Sequence, residues 1–294
     1  FRRPSSLGQP SALTSPESCG MGELGTFEII LIIANVAITY FTLNHQSWFE
    51  RLVFEIRAVK AGQWYRLFTA GFLHVNWNHL FFNMLTLYFF AGAVEKATGF
   101  LFFGLIYFGS LLAGNLLALL IQRHRPHYRA VGASGAVSGV VYAAIALFPG
   151  MELGLIFIPG LFFPAWIYGL GFVLYSLYGI RRQGDNIGHE AHLGGAIAGL
   201  IISVLIFPEL LDQNAMTLVY ILVPSVVALV VMIVKPKLLG MAMAKPEDNW
   251  SVDDHYREQR ANRELELNRI LEKIQIQGRN SLTKEEREFL ENQQ

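Results

Sequence analysis

The stretch Gly132–Phe148, GASGAVSGVVYAAIALF, places a serine between two glycines at the mouth of an apolar run without a charged residue. Such a run is typical of a helix buried in protein or membrane. A serine where a loop enters a helix can present its hydroxyl to a cavity, and the helix N-terminus favours developing negative charge. Ser134 is therefore the candidate nucleophile of this chain.

The composition predicts a membrane protein. Of 294 residues, 53% are hydrophobic and 16% charged, and the mean hydropathy is +0.37. Soluble domains carry about 25% charged residues. We predict an all-α polytopic protein in the lipid bilayer, because helices satisfy their own backbone groups in lipid. The seven apolar segments cover about residues 29–43, 79–94, 100–121, 134–148, 163–180, 191–207 and 216–234.

The net charge and the cysteine content limit the partners and the metal sites that this protein could have. The formal net charge is zero, so nothing in it points to a nucleic-acid partner. The single cysteine, Cys19, excludes an intrachain disulfide and a cysteine-based metal cluster.

The two ends of the chain differ from the apolar middle. Residues 1–24 are rich in Ser, Pro and Gly, and we predict them to be disordered. Because the chain begins at Phe1, we interpret Met21 as a candidate native start. Residues 241–294 carry charges of both signs, and Thr283 to Glu286 fit a capping box. We predict a small soluble, mostly helical tail with an unknown partner; a partly disordered, solubilising tail is the alternative.

The connection from Asn44 to Val75 is long for a compact protein, and long connections are usually functional. It mixes tryptophans with arginines, among them Trp48, Arg51 and Arg66. That mixture predicts a segment lying at the level of the lipid headgroups.

His192 is the candidate partner of Ser134, because it opens another apolar run and lies three residues before Gly195. Ionisable groups at membrane depth are rare and usually functional. Small residues recur at Gly195 and Gly199, and again at Gly135 and Gly139 on the serine segment. Such stripes let two helices approach closely. We therefore expect the fourth and sixth segments to touch, with the hydroxyl and the imidazole at the same end.

His79 and Asn83 are four residues apart, so on a helix they share one face. An imidazole and an amide on that face can donate hydrogen bonds to an oxyanion. An interhelical hydrogen-bonding pair is the structural alternative for the same two residues.

Several neighbouring residues compete for these roles. Ser138 is the rival nucleophile, and we interpret it as a packing residue below Ser134. His189 is the rival of His192, and we interpret it as a rim residue or a neighbour behind the site. A metal site from His79, His189 and His192 stays open, although no HExxH spacing is present. His74, His124 and His127 lie in loops or at helix ends, and we predict that they are solvated.

The three patches GASG, AHLGG and HLFFN together resemble the rhomboid family of intramembrane serine proteases. The resemblance covers about residues 29–207, and Gln63–Arg66 followed by Phe72–His74 is similar to the family's first-loop signature. Rhomboids often carry an aromatic residue four positions after the serine. This chain has Ser138 there, which departs from the family pattern and leaves His192 without an aromatic support at that position.

The resemblance implies a Ser134–His192 dyad, an oxyanion site at His79 and Asn83, and no metal or organic cofactor. It implies a six-helix catalytic core over residues 25–210, to which residues 211–240 add a seventh transmembrane helix. The loop Arg181–Glu190 would help to gate the site. Substrates would be transmembrane proteins, the location would be a bacterial inner membrane, and the site would open to the outside of the cell. The alternatives are a catalytically silent rhomboid-like protein that binds transmembrane clients and a transporter with a histidine proton path.

Overall fold

A computed structural model describes residues 24–148, 150–155, 158–182, 188–234, 267–278 and 281–291. The chain divides into two compact units, Phe1–Ala242 and Met243–Gln294. The predicted disordered segment 1–24 lies outside the described residues except for its last residue. Residues 183–187 of the predicted gating loop lie outside them as well.

The first unit is mostly helical. Its longer helices are α1 (Thr26–Asn44), α5 (Trp77–Thr98), α6 (Phe100–Ile121), α7 (Ser134–Leu147), α8 (Ala165–Arg182), α9 (His189–Ile206) and α11 (Ala215–Val234). The shorter helices are α2 (Gln46–Leu52), α3 (Ile56–Lys60), α4 (Arg66–Thr69) and α10 (Leu210–Gln213), with one 3-10 turn at Ala70–Phe72. Among the described residues of this unit there are also four short strands, β1 (Phe54–Glu55), β2 (Arg129–Ala130), β3 (Glu152–Leu155) and β4 (Ile158–Pro164).

Each of the seven predicted apolar segments is helical, with ends that differ by a few residues from the predicted ones. Four of the described helices, α1, α6, α9 and α11, are long and apolar enough to cross a membrane. The serine-bearing α7 is shorter, at 14 residues. The protein is therefore an integral membrane protein with a largely helical fold.

Helix α7 lies at the centre of the first unit and packs most extensively against α6 and α9. Every residue of α7 from Gly135 to Leu147 is buried. Because protein rather than lipid surrounds this helix, it needs neither the length nor the uniform apolarity of a lipid-exposed span.

Glycines set the distance between α7 and α9. A Cβ atom on Gly195 would overlap the carbonyl oxygen of Gly135 and would lie 2.7 Å from its carbonyl carbon. One turn further on, a Cβ on Gly199 would overlap the backbone of Gly139 in the same way. The two backbones touch directly, as the stripes of small residues predict.

The connection between α1 and α5 is held together by internal hydrogen bonds. The prediction that it lies at the level of the lipid headgroups does not include this internal structure. Arg66 is buried; its Nη1 donates to the carbonyl oxygen of Val53 at 2.7 Å, and its Nε donates to Gln63 at 2.7 Å. Arg66 therefore fixes the connection internally, while Trp48 and Trp64 remain exposed. The sequence alone does not distinguish a loop residue that bonds within the protein from one that is exposed at the surface.

The same scaffold holds the segment that leads into α7. Strand β1 pairs antiparallel with β2, with Phe54 opposite Ala130 and Glu55 opposite Arg129. The Arg129 guanidinium also donates to the Glu50 carboxylate. Two residues beyond β2 the chain reaches Gly132, so this small ladder positions the turn before the serine.

A β-hairpin, which the apolar pattern of the sequence does not predict, connects α7 to α8. In it β3 pairs antiparallel with β4, and the amide of Ala165 donates to the carbonyl oxygen of Met151 at 2.8 Å. The prediction is helical throughout because it considers only the apolar spans. Phe163 and Pro164, the first two residues of the predicted fifth span, belong to β4.

In the second unit the structure describes a helical stretch over residues 267–277, here α12, and a final helix α13 (Lys284–Glu291). The predicted capping box is confirmed. The Thr283 amide donates to the Glu286 carboxylate at 2.8 Å, and the Glu286 amide donates to the Thr283 hydroxyl at 3.3 Å. Lys273 of α12 donates to the same carboxylate at 2.8 Å, which joins the two helices.

Candidate active site

Ser134 and His192 meet at the start of their helices. Ser134 is the first residue of α7, and His192 lies in the first turn of α9. The serine Oγ and the imidazole Nε2 are 2.6 Å apart, and both side chains are half-buried. This is hydrogen-bonding distance, within which a neutral imidazole can remove a proton from a hydroxyl.

The N-terminus of α7 surrounds the serine with amide groups. The first hydrogen bond within the helix runs from the Val137 amide to the Ala133 carbonyl oxygen at 2.9 Å. The helix itself therefore supplies no acceptor for the amides of Ser134, Gly135 and Ala136. These amides, together with the positive end of the helix dipole, favour negative charge beside the serine Oγ.

Gly132 fixes the turn before the serine. Its φ of 122° lies in the region that favours glycine, and its amide donates to the Ala70 carbonyl oxygen at 3.0 Å. A Cβ here would lie 2.7 Å from His79 Cε1 and 3.6 Å from Ser134 Oγ. Only glycine lets the His79 ring lie against this turn and close to the serine.

His79 and Asn83 lie on α5 beside Ser134 and His192. Asn76 caps this helix, since its side chain accepts from the His79 amide at 2.8 Å. The Asn83 side-chain amide donates one hydrogen to the His79 carbonyl oxygen at 3.0 Å, which leaves its second hydrogen for another acceptor. Both residues line the same cavity of about 220 Å³ as Ser134 and His192.

His74 is buried, so the prediction that it is solvated is wrong. Its Nδ1 lies 2.9 Å from the Thr39 hydroxyl, which donates to the Phe72 carbonyl oxygen at 3.2 Å. Its ring meets the His79 ring edge to face, with centroids 4.9 Å apart. Burial lowers the pKa of His74 to about 3, and the neighbouring His79 adds to this effect. The similarity of Phe72–His74 to the family's first-loop signature is the one sequence signal at His74, and it does not indicate that the side chain is buried.

His189 lies behind His192 and not at the rim. It is buried, and its ring contacts those of His192 and Tyr175 at centroid distances of 5.9 Å and 5.2 Å. The other predicted solvated histidines, His124 and His127, are exposed. Within the described residues, no group of three or more His, Cys, Asp or Glu side chains is arranged to hold a metal ion.

Glu190 anchors the start of α9. It is buried and accepts hydrogen bonds from Gln122, at the end of α6, and from the Tyr128 hydroxyl at 3.4 Å. Burial raises the pKa of Tyr128, and the Glu190 charge raises it further, so the phenol stays protonated and donates. This contact fixes the turn of α9 that carries His192.

Ser138, the rival nucleophile, is buried one turn into α7. Its hydroxyl donates to the Ser134 carbonyl oxygen at 2.7 Å. The proton therefore points into the helix that carries Ser138, whereas the Ser134 hydroxyl faces an imidazole.

Comparison with known proteins identifies the fold family. A family model described as "Rhomboid domain" matches residues 61–209, and a family of unknown function (DUF6576) matches residues 250–293.

Curated relatives give the same assignment. RHOMBOID-like protein 12, mitochondrial, from Arabidopsis thaliana is 29% identical over 58% of this chain and 55% of its own length. Rhomboid-like protein 11, chloroplastic, from the same plant is 29% identical over 55% of this chain and 62% of its own length. YdcA of Bacillus subtilis (strain 168), provisionally named a rhomboid protease, is 32% identical over 60% of this chain and 85% of its own length. The matched region thus spans little more than half of the two plant relatives, and the chain belongs to the rhomboid family.

Proposed function

We propose that this protein is an intramembrane serine endopeptidase that cuts transmembrane helices with a Ser134–His192 dyad. The observation that carries the proposal is the 2.6 Å contact between Ser134 Oγ and His192 Nε2, formed where two buried helices begin. Family membership supports the proposal, because rhomboids are generally intramembrane serine proteases.

In the first half of the reaction His192 Nε2 accepts the proton of the Ser134 hydroxyl while Oγ attacks the scissile carbonyl carbon. The resulting tetrahedral oxyanion collapses, the peptide C–N bond breaks, and His192 returns the proton to the leaving amine. In the second half His192 removes a proton from water, the hydroxide attacks the acyl-serine, and the proton goes back to Ser134 Oγ.

The oxyanion needs hydrogen-bond donors next to the nucleophile. The second Asn83 side-chain hydrogen, a His79 ring N–H and the Ser134 amide are the candidate donors. The first two line one cavity with the dyad, and the third belongs to the N-terminus of α7.

The proposed substrates are transmembrane proteins, cut near a helix end where helix-breaking residues let the backbone unwind. A peptide bond inside a helix is shielded by its own hydrogen bonds, so it must be exposed before attack. Hydrolysis also needs water, and buried polar groups cost free energy unless they are hydrated or paired. The cavity beside Ser134 would therefore be filled by water from one aqueous side.

The proposed architecture is a six-helix catalytic core over residues 25–210, a seventh transmembrane helix over 211–240 and a soluble tail over 241–294. A bacterial plasma membrane stays a prediction for the location, since the relatives include proteins named mitochondrial and chloroplastic as well as one from Bacillus subtilis.

The test is cleavage of a model transmembrane substrate by the purified protein in detergent. We expect Ser134→Ala and His192→Ala to lose activity by at least about 10⁴-fold, because either change removes a member of the dyad. Ser138→Ala is the matched control on the same helix and should retain cleavage. A fluorophosphonate probe should label Ser134 in the wild type.

Two outcomes would contradict the proposal. Cleavage that survives in Ser134→Ala would place the nucleophile elsewhere. A wild-type protein that neither cleaves nor reacts with the probe, yet captures transmembrane helices, would indicate the catalytically silent client-binding alternative.

A further inference from the structure

The imidazole of His192 packs against an aromatic ring that does not come from the nucleophile's helix. Phe172 of α8 lies with its ring centroid 6.0 Å from that of His192 and its plane tilted by 26°. At position 138, where the family resemblance predicts an aromatic residue, this chain has a serine that bonds to its own helix. Ser138, Phe172 and His192 all line the same cavity.

Two contacts between α7 and α8 hold Phe172 in place. The Tyr142 hydroxyl donates to the Gly169 carbonyl oxygen at 2.7 Å, which fixes α8 one turn before Phe172. The rings of Tyr142 and Phe172 also meet edge to face, with centroids 6.0 Å apart. The opposite end of this small stack is the Tyr168 ring, 6.4 Å from Phe172. The position of Phe172 is thus determined by α7 even though the residue belongs to α8.

A flat ring beside an imidazole does two things for a general base. It limits rotation of the imidazole about its last side-chain torsion, which is otherwise broad, so that Nε2 stays directed at the serine. Its π face also attracts the imidazolium cation that forms when His192 holds the serine proton. Both effects act on the chemical step more than on substrate binding.

We propose that Phe172 is a positioning residue that orients the His192 imidazole from α8, in the role that an aromatic at position 138 would otherwise fill. The inference rests on the proposed function, because orienting His192 matters for catalysis only if His192 is the base. One consequence is that the geometry of the dyad depends on where α8 lies, although neither Ser134 nor His192 belongs to that helix.

The test compares Phe172→Leu, which removes the ring, with Phe172→Tyr, which keeps it. We expect Phe172→Leu to lower kcat by about 3- to 30-fold with little change in KM, and Phe172→Tyr to stay within about twofold of the wild type. Leu174→Ala, at an exposed position of the same helix, is the control for general disturbance of α8 and should leave kcat unchanged. The melting temperature of each variant in detergent identifies any that fail to fold.

A second measurement does not depend on activity. In protein with labelled histidine, the Phe172 ring current should displace the His192 ring-proton signals, and this displacement should vanish in Phe172→Leu and persist in Phe172→Tyr. Unchanged His192 signals in Phe172→Leu would overturn the inference, and so would a folded Phe172→Leu protein with wild-type kcat. Failure of the proposed function itself would appear elsewhere, as a wild-type protein without Ser134-dependent cleavage.

Discussion

Ser134, the proposed nucleophile, lies among groups whose positions are fixed by separate neighbours. Gly132 admits the His79 ring, and Glu190 fixes the helix turn that carries His192. His74 contacts His79 in turn: the two rings meet edge to face, and the Nδ1 of His74 lies beside the Thr39 hydroxyl. All of these contacts except that between His74 and His79 join residues that are distant in the chain. We therefore expect a change at one of them to act on the pair Ser134 and His192 without touching it.

Buried His74 makes the stability of the fold depend on pH. Its pKa is lowered from 6.5 to about 3, so between these values the unfolded chain binds a proton that the folded chain does not. Stability is therefore full above pH 6.5 and is lost progressively as the pH falls towards 3. We expect His74→Asn, which keeps a donor for Thr39, to reduce the fall in melting temperature between pH 7 and pH 5.

The measurement is thermal unfolding in detergent at a series of pH values. His124→Asn is the control, because the side chain of His124 is exposed, and its pH dependence should follow the wild type. Identical pH dependence in His74→Asn and the wild type would show that His74 titrates freely in the folded protein.

At the scale of elements, the central feature is the direct contact between the backbones of α7 and α9. A helix pair with ordinary side chains between the backbones has axes about 8–10 Å apart. Glycines at the contact remove those side chains and bring the two N-termini together, which places His192 within reach of Ser134. The ladder of β1 and β2 then sets where the chain enters α7.

We expect Gly195→Ala to destabilise the protein and to lower its activity. The new methyl group would overlap the Gly135 carbonyl group. Because the overlapping atoms belong to the backbone of α7, the overlap can be removed only if α7 and α9, which carry Ser134 and His192, move apart. Overpacking of this kind costs about 1–3 kcal/mol. Melting temperature and substrate cleavage, both measured in detergent, are the two readouts.

Gly171→Ala is the matched control, because it places the same methyl group on α8 where nothing lies within 4 Å. Alanine is also the better helix former, by about 1 kcal/mol. We expect its stability to equal or exceed that of the wild type. A Gly195→Ala protein with wild-type stability would contradict the close contact between α7 and α9.

At the scale of the whole molecule, the path of α11 relates the end of that helix to the side of the membrane that the site faces. The Asn214 side chain donates to the Ile145 and Ala146 carbonyl oxygens at the end of α7, so α11 starts at the end opposite Ser134. Ile221 of α11 then packs against Gly169 of α8, where a Cβ would lie 3.0 Å from it. The last residue of α11, Val234, therefore lies at the same end of the helices as Ser134. The basic residues of the connections on that side alone would predict a cytoplasmic site.

We expect a reporter joined after Val234 to lie outside the cytoplasm, because the family resemblance predicts a site that opens outward. The structure gives two arginines of this side other roles, since Arg66 binds backbone carbonyls and Arg129 pairs with Glu50. These residues are therefore weak indicators of orientation. A reporter that is active only in the cytoplasm would reverse the predicted orientation.

The sequence by itself determined the helical spans, the small-residue stripes of α7 and α9, the capping box at Thr283 and the residues that would carry the chemistry. These features follow from local rules of periodicity, residue size and helix ends, which a single stretch of chain expresses. The burial of His74, the internal role of Arg66, the ladder of β1 and β2 and the Phe172 ring beside His192 were decided by the tertiary structure. Each of them joins groups that are distant in the chain, and only the packing of the helices brings such groups together.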